Sequence, residues 1–381
     1  MRRRPGFTSA LHGERVAAVL GIALGVSFTV CFVTGLLSHV AQDPHGWFAW
    51  PARPAGLYRV TQGVHVATGL ASIPLLLAKL WTVYPRLFRS PVFGSVASAV
   101  ERISVVPLVG GALFLLSTGV ANVNLWYPWP FNFRTAHYWV AWITIGALVV
   151  HVGAKFAVTR RTLGRGAGSA GVATAPVAPD APDALGRRGF LALVGGAAVG
   201  VTALTVGQTV WPLRKLALLA PRRPDTGPQG FPVNRSARAA GVETAAVDPG
   251  YRLLVDGRVD TPLRLALDEV RALPQHEATL PIACVDGWSA SRTWSGVRVR
   301  DLLAMAGARP GASVRVDSLQ RRFSYSSSLL NADQAADADT LLALRVEGET
   351  LHLDHGYPVR LIGPNRPGVE QTKWVTRLTV L

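Results

Sequence analysis

The sequence predicts a multidomain membrane protein: an N-terminal all-α transmembrane four-helix bundle (1–160), a flexible cytoplasmic linker (161–186), a fifth transmembrane anchor helix (187–215) and a C-terminal α+β domain (245–381). Three observations carry this. Five apolar runs, near 16–38, 60–80, 103–122, 138–158 and 190–211, each approach the ~20 residues that cross a bilayer. A stretch rich in Gly, Ala and Pro from about 164 to 183 has no periodicity and separates the fourth run from the fifth. From about Asp248 the pattern changes to short apolar segments punctuated by turns.

The runs account for the composition. A chain of 381 residues holds two or three domains, and 49% hydrophobic residues is too apolar for an ordinary soluble protein. The net charge of +16 does not point to nucleic acid, because Lys and Arg alternate around the apolar runs. Fourteen of them fall in the N-terminus and in the second and fourth connections (Arg2 to Arg4, Arg15, Lys79, Arg86, Arg89, Arg102, Lys155, Arg160, Arg161, Arg165, Arg187, Arg188). Three, Arg53, Arg59 and Arg134, fall in the intervening ones. That bias puts the N-terminus inside and, after five crossings, the C-terminal domain outside.

Arg187-Arg188-Gly189-Phe190-Leu191 opens the fifth run and looks like an internal twin-arginine translocation motif, although paired arginines also end ordinary cytoplasmic helices. Ala217-Leu218-Leu219-Ala220 does not fit a cleavage pattern, so the fifth helix is expected to stay as an anchor.

Six of the nine histidines lie within the first 151 residues. His137 and His151 are 14 residues apart in the fourth run, which puts them on nearly one helix face about 21 Å apart along the axis. That separation suits two stacked haems. Each iron then needs a second imidazole at matching depth, for which His65 is available outside and His12 inside, with His39 a competing outer ligand. This arrangement resembles the dihaem b-type cytochrome subunit of membrane-bound formate dehydrogenases, and the resemblance implies haem b at both levels. The alternative is a haem-free bundle whose interfacial histidines bond headgroups or loops.

In the C-terminal region, strands are expected at Tyr251–Val255, followed by the turn signal Asp256-Gly257, and at 279–283, 313–318, 350–353, 359–362 and 375–381. Helices are expected at 264–273, 299–306 and 331–344. Cys284 leaves a strand end here. The chain has two cysteines, and the other, Cys31, lies in an apolar run, so a disulfide is implausible and the thiol is a candidate for chemistry or metal ligation.

Cys284 stands in Ala283-Cys284-Val285-Asp286-Gly287-Trp288-Ser289. Trp294 to Leu303, Asp354-His355-Gly356-Tyr357-Pro358-Val359-Arg360 and Thr372-Lys373-Trp374 follow in order. Over about 245–381 this set resembles the sulfite oxidase family, which includes nitrate reductase molybdenum domains and the bacterial periplasmic methionine-sulfoxide reductase. The resemblance implies a molybdopterin cofactor with Cys284 ligating molybdenum, His355 and Arg360 at pterin-binding positions, and Gln371, Thr372 and Lys373 holding the terminal phosphate. Arginine and lysine suit that task, since a planar fork and a compact cation both pair with phosphate. Two departures stand out: 363–370 lacks an aromatic residue often found there, and the domain is short, without the dimerisation domain of animal sulfite oxidases.

The expectation is thus a multi-pass oxidoreductase of a bacterial cytoplasmic membrane, its catalytic domain on the outer face. It transfers oxo groups on a small S- or N-oxide, or on a sulfite-like oxyanion, and exchanges electrons through b haems with the quinone pool. Quinol as reductant favours the reductive direction, and Arg292, Arg321, Arg322 and Arg366 are candidates to attract an oxyanion. The alternatives are a haem-free anchor with a separate cytochrome partner, or a cofactor-free binding module.

Overall fold

Within a bilayer core the backbone must satisfy its own hydrogen bonds, so apolar runs of this length fold as helices. The computed structural model describes residues 10–43, 48–87, 96–164, 186–206, 213–321 and 325–381. The five runs form α1 (Glu14–Gln42), α2 (Leu57–Leu87), α3 (Val96–Val123), α4 (Phe133–Gly164) and α5 (Arg187–Val206), all long and apolar enough to cross a membrane. Most of the expected linker, 165–185, lies outside the described residues, as does Arg322. The chain forms two compact units, Met1–Val33 with Val64–Thr205, and Thr34–Gly63 with Val206–Leu381.

The helical unit associates through small residues and sparse polar contacts, as expected where lipid removes the hydrophobic drive between helices. A Cβ on Gly111 of α3 would collide with Thr144 of α4. Ser27 Oγ of α1 donates to the Thr68 carbonyl at 3.0 Å and lies 2.9 Å from Ser72 Oγ of α2. Helix α5 joins this packing: Val194 clusters with Val16 and Leu20, and Phe190 meets Trp81 with ring centres 5.5 Å apart. Ile103, Val106, Ile143, Val149 and Val199 remain exposed, a surface suited to lipid. Arg187 and Arg188 open α5, where the helix dipole opposes cations, so helix stability does not account for their position.

The C-terminal unit begins with the short helices α6 (Ala237–Ala240) and α7 (Glu243–Ala246). The chain then runs β1 (Arg252–Gly257), β2 (Leu263–Ala266), α8 (Leu267–Ala272), β3 (His276–Ala283), β4 (Ser289–Arg298), α9 (Val299–Met305), β5 (Val314–Ser318), β6 (Ser327–Leu330), α10 (Ala332–Ala336), β7 (Leu341–Val346), β8 (Glu349–Thr350), β9 (Arg360–Ile362) and β10 (Val375–Val380). One sheet has the order β2-β1-β10-β5-β6, with β1 parallel to β10. The other has the order β3-β4-β7-β8, with β9 also on β7. Leu253, Val255, Val316 and Leu378 of the first sheet share a core with Leu342, Leu344 and Leu361 of the second. The far side of the second sheet packs Leu280, Ile282, Cys284, Trp288 and Trp294 with Phe231.

Three sequence expectations need correction. The helix expected over 331–344 is α10 followed by β7: Asn331 caps α10, accepting from Gln334 N at 2.9 Å, and the helix ends at Ala336. Leu341 to Leu344 is buried on both faces of a strand, and a continuous apolar run of that kind does not reveal its period. The helix expected over 264–273 is shortened because Leu263–Ala266 pairs with β1. Strands β4 and β6 lay outside every expected segment.

The α1–α2 connection is woven into this unit. Trp50 Nε1 donates to the Asn365 carbonyl (2.8 Å), and Asn365 Nδ2 donates to the Pro51 carbonyl (2.7 Å). Tyr58 N donates to Asn365 Oδ1 (2.7 Å), and Asn365 N to the Ala55 carbonyl (3.0 Å). Asn365 has φ 53°, a left-handed conformation that asparagine tolerates better than most residues. Arg53 pairs with Asp337 and Asp339 at 2.8 and 2.5 Å.

Candidate functional site

Strand β3 delivers Cys284 into a tight turn closed by Cys284 N to the Trp288 carbonyl (2.9 Å) and Gly287 N to the Cys284 carbonyl (3.1 Å). The thiol is buried, 4% exposed. Asn234 Nδ2 donates to Sγ at 2.6 Å, and Sγ lies 3.3 Å from Asp286 Oδ1. Asn234 is fixed in turn: its Oδ1 accepts from Arg222 Nη1 at 2.5 Å and Trp288 Nε1 at 3.2 Å. Arg222 Nε is 3.9 Å from Asp286 Oδ2. Burial, and then the neighbouring Asp286 carboxyl, push the Cys284 thiol well above its ordinary range. Burial also raises Asp286. A thiolate here therefore calls for a cation against the sulfur, and a metal displacing the proton supplies one.

A second group gathers around Gly356. His355 stacks on Phe231 with ring centres 3.6 Å apart, and its Nε2 donates to the Pro228 carbonyl at 2.7 Å. Burial, with Arg360 nearby, lowers His355 to about 3, so the ring is neutral. Arg360 is 3% exposed, lies 5.3 Å over the Trp294 ring and donates Nη1 to the His355 carbonyl at 3.0 Å. Its Nε, like Trp294 Nε1, has no hydrogen-bond partner among the described residues. Lys373 Nζ donates to the carbonyls of Arg235 (2.8 Å) and Asp354 (2.7 Å). Burial lowers Arg360 to about 9 and, joined by repulsion from Arg360, Lys373 to about 7. Gly356 has φ 113°, and a Cβ there would stand 3.1 Å from Lys373 Cβ and 3.2 Å from Arg360 Cβ. Only glycine keeps the two cations this close to the loop. A buried cation beside a half-buried one, both bonding carbonyls and with a buried donor left over, is costly unless an anion completes them. One soft sulfur beside an anion-ready pair fits a molybdopterin group.

The other expected residues are placed as follows. Gln371 clasps Gly363 in both directions at 2.8 Å, and Thr372 Oγ1 lies 2.6 Å from Ser328 Oγ. Both hold the loop that precedes Lys373. Arg366 is buried and engaged by the Leu329 carbonyl (2.9 Å), Gln334 Oε1 (2.5 Å) and Glu370 (3.0 and 3.3 Å). Arg292 donates to the carbonyls of Ser291, Pro224 and Gly230 and faces the Phe231 ring. Arg292 is engaged by carbonyls, whereas Arg366 Nε, like Arg360 Nε, has no hydrogen-bond partner among the described residues. Asn234, Arg222 and Asp286 escaped the sequence reading: Asn234 and Arg222 precede the expected domain boundary, and only the fold brings them to the thiol.

In the helical unit, the His65 and His137 rings stand 6.2 Å apart, inclined by 70°. His65 Nδ1 donates to the Cys31 carbonyl at 2.8 Å. Thr118 Oγ1 donates to the Phe114 carbonyl, which leaves its lone pair to accept from His137 Nδ1 at 3.0 Å. Both rings therefore keep Nδ1 occupied and present Nε2 as a lone pair. His12 stacks against Trp81 at 4.5 Å with Nδ1 3.2 Å from the Thr82 carbonyl, and His151 lies on α4. His39 is 4.0 Å from Asp43 in the last turn of α1. Among the described residues no cluster of three or more His, Cys, Asp or Glu could hold a bare metal ion.

Residues 240–381 match the family described as oxidoreductase molybdopterin binding domain. The chain is 27% identical to a sulfite oxidase of Arabidopsis thaliana over 34% of its length and 42% of the relative's. It is 33% identical to the oxidoreductase YuiH of Bacillus subtilis over 33% of its length and 62% of the relative's. With "Putative protein-methionine-sulfoxide reductase subunit YedZ1" of Azospira oryzae it shares 34% identity over 44% of its length and 61% of the relative's. The matched region thus spans between about two fifths and three fifths of these relatives.

Proposed function

We propose that this chain is a membrane-held molybdopterin oxidoreductase. It acts on a small S- or N-oxide or sulfite-like substrate outside a bacterial cytoplasmic membrane and exchanges electrons through b haems with the quinone pool. The observation that carries the reading is the buried Cys284 thiol in the same domain as the buried Arg360, whose Nε has no hydrogen-bond partner among the described residues, and the half-buried Lys373, whose ammonium bonds two carbonyls. When bound, the molybdenum cofactor supplies two-electron oxo transfer. Cys284 would hold the metal, with Asn234 fixing the sulfur by its 2.6 Å hydrogen bond. Arg360 and Lys373 would bind the pterin phosphate, His355 would pack against the pterin as a neutral ring, and Gln371 and Thr372 would shape the phosphate loop.

For haem, the support is the outer pair. His65 and His137, whose ring centres stand 6.2 Å apart, would hold the iron between them. Nδ1 bonded to a carbonyl or hydroxyl is the usual support of a metal-ligating histidine. His12 and His151 are the proposed inner pair. Arg187-Arg188, set against the α5 dipole, is consistent with a twin-arginine signal, a route that lets a folded, cofactor-loaded domain cross.

The test is Cys284→Ser in the full chain, with molybdenum and haem measured in the same samples. Turnover should vanish and the molybdenum spectrum change, with haem content and membrane insertion retained. Unchanged activity would sink the molybdenum reading, and a wild type without a haem band under ample haem supply would reduce the helices to an anchor.

A further inference from the structure

The residue after the candidate metal ligand has a partner that the reading above leaves unused. Gln62, 6% exposed, donates from Nε2 to the Val285 carbonyl at 3.1 Å. Gln62 belongs to α2, and the same helix carries His65 three residues further on, about one turn. It closes the clasp that begins at Trp50, so its position is set by several hydrogen bonds besides its own. Ala283, on the other side of Cys284, packs in one cluster with Trp50 and Tyr58 of that clasp. Both neighbours of Cys284 in the chain are thus held by the α1–α2 segment.

We propose that Gln62 is the coupling residue between the two redox centres, which rests on reading Cys284 as the molybdenum ligand and His65 as a haem ligand. The connection is Cys284 to Val285 along the chain, across the hydrogen bond to Gln62, and along one turn of α2 to His65. A hydrogen bond couples donor and acceptor orbitals better than a gap of the same length. Each turnover moves two electrons between quinol and the oxo-donor substrate, and they pass this link one at a time. Gln62 forms and breaks no covalent bond and takes up no proton. It is a positioning residue for electron transfer and does not touch substrate.

The experiment separates two activities in the full-length membrane protein. Quinol-driven turnover uses the link, whereas a soluble viologen dye reduces the molybdenum centre directly. Gln62→Leu removes the donor at similar volume, and Gln62→Glu keeps the shape but sets a carboxylate against a carbonyl. Quinol-driven turnover should fall at least about tenfold in both, the scale of lost outer-shell support, with dye-linked turnover and molybdenum content retained. In Gln62→Glu the deficit should shrink as pH falls and the carboxyl becomes a donor. Equal loss of both activities, or loss of molybdenum, would show a merely structural role and overturn the proposal, as would no change in either. A wild type containing molybdenum but no haem would overturn it through its premise, leaving the molybdenum reading intact.

Discussion

The helical unit and the C-terminal unit treat buried polar groups in opposite ways. Among the helices, Ser27, Ser72, Thr118 and the Nδ1 atoms of His65 and His137 all find protein partners. The C-terminal unit holds the buried Arg360 and the half-buried Lys373 on carbonyls and aromatic rings and leaves Arg360 Nε and Trp294 Nε1 unmet among the described residues. In the first unit these hydroxyls and ring nitrogens are paired within and between the helices. The second is organised around charge that its own residues do not neutralise.

Three substitutions or conditions would break or sharpen that contrast. The largest effect is expected at Arg360. Arg360→Met should lower molybdopterin retention by more than about tenfold, yet raise the stability of cofactor-free protein by about 1–2 kcal/mol, because a buried uncompensated cation is gone. Thermal melts of loaded and unloaded samples check both signs, and a destabilised cofactor-free variant would mean the cation is already neutralised within the fold. Next, His137→Ala and His65→Ala should each remove the same b-type centre from a redox-titrated optical spectrum, whereas His151→Ala should spare it. Loss of different centres in the first two would break the outer pair.

The smallest effect concerns pH and Lys373. Its folded value, about 7, lies below the ordinary lysine value, so between the two the unfolded chain binds the extra proton and stability of cofactor-free protein rises with pH across that window. Pterin phosphate needs the charged ammonium, so its retention should weaken as pH rises past about 7. Lys373→Arg should flatten both trends, and an unchanged pH slope would count against an uncompensated Lys373.

What was legible in the sequence follows from the range of the forces involved. Five helices could be read because bilayer thickness demands a contiguous apolar run, and Cys284 stood out because the only other cysteine lies in such a run. His65 and His137 could be set at matching depth from their places along the helices, and their rings stand 6.2 Å apart. Strand β7 was misread because Leu341 to Leu344 is apolar on both faces. Asn234 and the Trp50 clasp were invisible, since each meets its partner across 50 or more residues: Asn234 and Cys284 are 50 apart, and Trp50 and Asn365 are 315 apart. No local period encodes such contacts.

That last separation bears on how the molecule comes to be made. Residues 50–58 leave the ribosome some three hundred residues before Asn365, which offers its backbone and its whole side chain to them. Closing so long a loop is slow compared with local folding. The C-terminal unit therefore reaches its final form only after Asn365 has been made, by recapturing the strap that joins α1 and α2. A fragment cut at the homology boundary would start without that strap, with Asn365 held at φ 53° and nothing to bond.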